Sequence, residues 1–164
     1  MKLIHFPKTR FAELAARAGG ITEDVAVDGA LKAIESARPE SDGMIAKAIA
    51  EIEAIVYSPD VGDQLTTEDL RAILRHTDQI VTLAGMFCYE RLDIAARSFC
   101  DLVDGLLNAG VSDIAPVVVH VKAIRLMALG GAELAQEEAD RVLNGLERVL
   151  SHFQFTSLSS VGDG

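Results

Sequence analysis

Between Leu70 and Leu107 apolar residues recur at intervals of three and four, break over five residues, and resume with the same spacing. Leu70, Ile73, Leu74, Thr77, Ile80, Val81 and Ala84 fall along one face of a helix. Leu92, Ala95, Ala96, Phe99, Leu102, Val103 and Leu106 do the same for a second, and Gly85 to Tyr89 form the corner between them. Two amphipathic helices joined by so short a corner fold back on one another. A hairpin alone leaves apolar surface wet, so further helices must cover it.

The rest of the chain supplies them. Ser112 is placed to cap a helix over Asp113 to Leu129, stopped by Gly130-Gly131, and Glu133 to Phe153 carries a last apolar stripe. The β-branched VVVHV run reads as the most buried helix, because a lone strand has no partner in this chain. Ahead of the hairpin, Thr66 with Asp69 forms a looser version of the capping box. Ser58 to Leu65, with Pro59, Gly62 and two aspartates, reads as a long connection. Before it, Met44, Ile45, Ala48, Ile49, Ile52, Ile55 and Val56 form a helical stripe, and Pro39 is expected to end the preceding helix, which Thr22 caps. Glu40 and Asp42 then fall in the first turn of a new one. A short helix is expected to end at Gly19-Gly20.

The expected fold is all-α: an up-and-down antiparallel four-helix bundle with additional N-terminal helices. Residues 1–57 form an N-terminal helical section, 58–65 a linker, 66–154 the bundle and 155–164 a flexible tail.

Apolar residues make up 49% of the 164, far above the disordered range, and the formal charge is −10. That charge excludes a surface tracking phosphate backbones or anionic lipid, so no nucleic acid and no membrane partner is expected, and a basic partner suits it better. Without a leader or an 18-residue apolar run, the chain is expected to be soluble and cytoplasmic. Cys88 and Cys100 are then reduced, and read as filler on inward faces.

Four dispersed histidines, His5, His76, His120 and His152, make no metal signature, and neither metal nor cofactor is expected. No nucleophile elbow or phosphate-cradling loop occurs, so a conventional enzyme is not expected. His76 stands out. The apolar stripe of its helix leaves Arg75, His76, Asp78 and Gln79 on the other side, and an exposed imidazole is a competent nucleophile near neutral pH. His120, amid valines, reads as a histidine hydrogen-bonded inside the bundle.

Over residues 66–107 the chain resembles the central hairpin of histidine phosphotransfer domains, the small helical bundles of phosphorelays. In that family a lysine follows the histidine by three positions, then a glycine, a small-residue run, a phenylalanine or leucine corner and a return helix rich in Leu and Ala. Leu83-Ala84-Gly85-Met86-Phe87-Cys88-Tyr89 resembles the corner, and Leu92 to Leu106 the return helix. With His76 in the phosphorylated position, Gln79 replaces the lysine and Ile80 the glycine. With the register set on Phe87, the nucleophile position falls on Asp78, the lysine on Val81 and the glycine on Thr82.

The resemblance implies a signalling protein of a two-component or chemotaxis system that binds response-regulator receiver domains, with a receiver domain or histidine kinase as partner. It is either a phosphoryl carrier through His76, with Gln79 and Asp78 beside it, or a non-catalytic docking protein. The alternative is a structural or scaffolding helical module that forms a homodimer through its N-terminal helices, without phosphotransfer.

Overall fold

The computed structural model describes residues 22–130 and 134–153. The expected short helix before Gly20 and the tail over 155–164 lie outside them. The described chain is all-helical: α1 (Glu23–Val56), α2 (Thr67–Met86), α3 (Glu90–Ala109), α4 (Ala115–Gly130) and α5 (Gln136–Phe153). Among the described residues there is no strand, only an isolated antiparallel bridge between Gln64 and Asp113.

The chain divides into two compact units, with the boundary between Ala37 and Arg38. In the first unit, the described residues, 22–37, are helical from Glu23 and exposed throughout. The second unit holds the core, including the later part of α1, whose Ser41, Ile45, Ala48, Ile49, Ile52 and Val56 are buried. Pro39 therefore does not end the helix. It cannot donate to the carbonyl four residues back, yet the buried stripe that follows holds the backbone helical. Asp42, expected near a helix start, stands inside α1 instead.

The bundle is organised around α3, which packs on α2, α4 and α5, while α4 also packs on α5. Among the described residues α2 and α5 do not pack on each other. Ile49 and Ile52 of α1 meet Phe99 of α3 and Val121 and Ile124 of α4, so α1 supplies a wall of the bundle. Ala95, Ala96, Phe99, Leu102, Val103 and Leu106 of α3 are wholly buried. That centre was expected at the valine run, but Val119 is 45% exposed. Successive residues are turned by about 100° on a helix, so three adjacent valines cannot all face inward.

Local sequence sets the ends of the helices. The capping box at α2 forms, with Asp69 N–H donating to Thr66 Oγ1 (3.1 Å) and Thr66 N–H to Asp69 Oδ2 (2.9 Å). At α4 it is Asp113, not Ser112, whose carboxylate takes the Ala115 N–H (2.9 Å). The Ser112 carbonyl instead accepts from Leu65 N–H (2.9 Å), tying the 58–65 connection to the one between α3 and α4. Gly110 ends α3 with φ 63°, the left-handed conformation in which glycine carries no Cβ penalty.

Candidate functional site

His76 lies near the middle of α2 and is partly exposed. Its flank of the helix also carries Ala72, Gln79 and Leu83, each partly exposed, between the buried stripe and the open face. Gln79, three residues on, is about 60° further round the helix, and its amide shares the His76 surface. Asp78 is about 160° from His76 and does not join them. Its Oδ1 accepts a hydrogen bond from Cys100 Sγ of α3 at 3.5 Å. Burial, and then the negative charge of Asp78, push the Cys100 thiol up to about 12, so it remains a protonated donor.

The candidate residues thus divide, with His76 and Gln79 on one flank and Asp78 on the other, facing α3. One helical turn from His76 in either direction stand Ala72, Ile73, Gln79 and Ile80. No lysine or arginine occupies those positions, where Gln79 offers a phosphoryl group a neutral amide; the exposed cation beside them is Arg75, the preceding residue, about 100° round the helix from His76.

At the α2–α3 corner the backbone repeats the device used at Gly110 with a different residue. After the last ordinary helical bond, from Phe87 N–H to the Leu83 carbonyl, Tyr89 N–H donates to the Ala84 carbonyl, the six-to-one bond of a Schellman-type helix end that Val111 N–H and the Leu106 carbonyl make at Gly110. The residue that takes the left-handed turn is Cys88, φ 58°, where glycine is usual. Its side chain is exposed rather than inward, because a residue beyond the helix end no longer follows the helical period.

The flanking rings are fixed. Arg38 Cζ sits 5.5 Å from the Phe87 ring centre and 5.3 Å from that of Tyr89. The Tyr89 hydroxyl donates to Asp42 Oδ1 at 2.6 Å. Burial, and then the Asp42 hydrogen bond, raise the Tyr89 phenol above its ordinary range.

Beside this corner a groove of about 800 Å³ opens between α1, the corner and the end of α4. Ile45, Ile49, Leu92 and Met127 give it an apolar floor, and Glu53 and Arg125 pair on its rim at 2.6 Å. Arg91, also on the rim, donates to the Leu134 carbonyl (3.0 Å) and to Gln136 Oε1. Nothing in the sequence marks this groove, whose lining residues come from three segments far apart in the chain. The Asp42–Tyr89 contact is equally silent, because neither residue belongs to a motif.

His120 is 0% exposed and stacks on Phe99, with ring centres 5.6 Å apart. Its Nδ1 is 2.9 Å from the Pro116 carbonyl, which can only accept, so Nδ1 carries the proton. Nε2 then accepts from the Ser98 hydroxyl at 3.1 Å. Burial lowers its pKa below the ordinary histidine value, favouring the neutral ring. Sealed and doubly bonded, His120 has a structural role.

Among the described residues, no three His, Cys, Asp or Glu side chains converge as a metal site, and no helix is long and apolar enough to cross a membrane. No family model, curated protein or solved structure matches the chain.

Proposed function

We propose that this protein is a non-catalytic docking component of a two-component or chemotaxis system, which binds receiver domains through the His76 flank of α2. The observation that carries the proposal is the partial exposure of His76, with Gln79 beside it, midway along one arm of the α2–α3 hairpin. The resemblance of residues 66–107 to phosphotransfer hairpins supports the choice of partner. Two further observations support docking over phosphoryl transfer. Asp78 is turned toward Cys100, and the position three residues after His76 holds the neutral amide of Gln79 in place of a lysine. Recognition on such a surface rests on a small apolar and amide patch, Ala72, Gln79 and Leu83, around one imidazole.

The test is incubation with receiver domains from the same genome, unphosphorylated and phosphorylated, with binding and phosphate transfer read in parallel. Saturable one-to-one binding is expected, weakened about tenfold or more by His76→Ala, with no phosphate on the protein. An acid-labile, base-stable phosphate on His76 overturns the non-catalytic reading in favour of a phosphoryl carrier. Failure of every receiver domain to bind overturns docking itself.

A further inference from the structure

The groove beside the α2–α3 corner lies wholly within the second unit and takes no residue from α2, so it is separate from the His76 surface. Its volume, about 800 Å³, is that of a small-molecule site. The lining from α1 runs from Asp42 to Glu53, eleven steps along the helix or about 16 Å. Both ends are barred. The Tyr89 hydroxyl crosses to Asp42 at one and Arg125 crosses to Glu53 at the other, each at 2.6 Å. Between them the apolar lining is aliphatic: Ile45, Ile49, Leu92 and Met127, with the small side chains of Ala46 and Ala50 beside them. The charges balance. Among the described residues, Asp42, Glu53 and Glu90 on the rim are matched by Arg91, Arg125 and Arg38, the last held over the Tyr89 ring.

We infer that this groove binds an uncharged, single-chain aliphatic molecule of about twelve carbons. The barred length sets the size. A fully extended chain advances about 1.2 Å per bond, so about twelve carbons fit with room for the two ends. Aliphatic side chains suit a flexible chain better than a stacked aromatic ring. A balanced rim, with Arg125 engaged by Glu53 and Asp42 by Tyr89, gives neither a carboxylate nor an ammonium head a net attraction. Desolvating either head beside an apolar floor then costs free energy with no return. A partner helix, about 10 Å across, cannot settle between the two barred ends. The inference rests on a different surface from His76 and stands independently of it.

The test titrates the full chain with 1-alkanols of about six to fifteen carbons, read by displacement of N-phenyl-1-naphthylamine, an uncharged fluorescent reporter. The alkanols are expected to bind one to one and to gain about twofold per methylene, less than full transfer gives because the groove is open on one side. The gain should stop near twelve carbons. Dodecanoate and dodecylamine should bind about tenfold more weakly than dodecanol. Ala50→Glu sets a carboxylate in the lining and should weaken dodecanol about tenfold or more, whereas Ala54→Glu, exposed on the same helix but outside the lining, should not. Glutamate is a good helix former, and an unchanged thermal transition shows that the bundle is intact in both. The chain-length and head-group comparisons use the unaltered protein and stand whatever either variant does to folding. A gain that continues unbroken to fifteen carbons overturns the inference, because the chains are then held on open apolar surface. So does equal binding of dodecanol by wild type and Ala50→Glu, tighter binding of either charged amphiphile, or failure of every alkanol to bind.

Discussion

The Tyr89 hydroxyl and Asp42 Oδ1, 47 positions apart in sequence, meet at 2.6 Å and tie the α2–α3 corner to α1. The bond lies at a partly exposed site, so its net worth is that of one charge-assisted hydrogen bond reduced by competing water. Tyr89→Phe should lower unfolding stability by about 1 kcal/mol. Asp42→Ala should cost a similar amount, and the double variant little more than either alone. Additive losses in a denaturant-unfolding cycle would show that the two residues do not act as a pair.

Cys88 holds a left-handed backbone at φ 58° without being glycine. Its exposed side chain contributes little packing, so removing Cβ should relieve the backbone at small cost. Cys88→Gly is expected to stabilise the protein by about 1 kcal/mol, read as a rise in urea midpoint at unchanged slope. Cys88→Val, β-branched in the same conformation, should destabilise it. A loss of stability in the glycine variant would mean that the thiol makes a contact worth more than the strain.

The two thiols should differ in reactivity. Cys88 is exposed, whereas Cys100 is half-buried, donates to Asp78 and is held near 12. The thiolate is the nucleophile, so iodoacetamide at about pH 8 should modify Cys88 in the native protein and leave Cys100 untouched until unfolding. Mass spectrometry of the native digest should find one labelled cysteine. Equal labelling of both would contradict the placement of Cys100.

His120 links folding to pH. Its folded pKa lies below the ordinary value of 6.5, so around and below that pH the unfolded chain binds more protons than the folded one. The stability tied to its neutral form is fully present above about 6.5 and is lost as pH falls toward the folded pKa. As pH falls below about 6.5, wild type should therefore lose stability more steeply than His120→Leu, by up to about 1.4 kcal/mol per pH unit for one proton. Parallel pH profiles would show that His120 takes up its proton equally in both states.

The helices of the bundle were legible because burial imposes the three-four spacing directly on the sequence, as at Ile73, Thr77 and Ile80 or at Phe99, Leu102 and Leu106. The capping box at Thr66 and Asp69 was legible because its chemistry is local. Pro39 misled because the cost of a proline inside a helix is local, while the burial that outweighs it, from Ser41 to Val56, is tertiary. The valine run misled for the opposite reason, since composition ignores direction and Val119 points outward. At the candidate site, the open side of α2 could be read from periodicity, but the separation of Asp78 from His76 required following helix phase in both directions. The groove and the Arg38–Phe87–Tyr89 stack depend on which helix ends meet, which no single segment encodes.

The docking surface is tested most directly by amide chemical-shift mapping of the isotope-labelled protein during titration with a receiver domain, up to about 1 mM to reach the weak end of specific binding. The largest perturbations are predicted at Ala72, His76, Gln79 and Leu83, with His76→Ala abolishing them and leaving the remaining spectrum in place. Perturbations that avoid α2 and cluster on the groove beside Tyr89 and Arg125, or that persist unchanged in His76→Ala, would contradict a docking surface centred on His76.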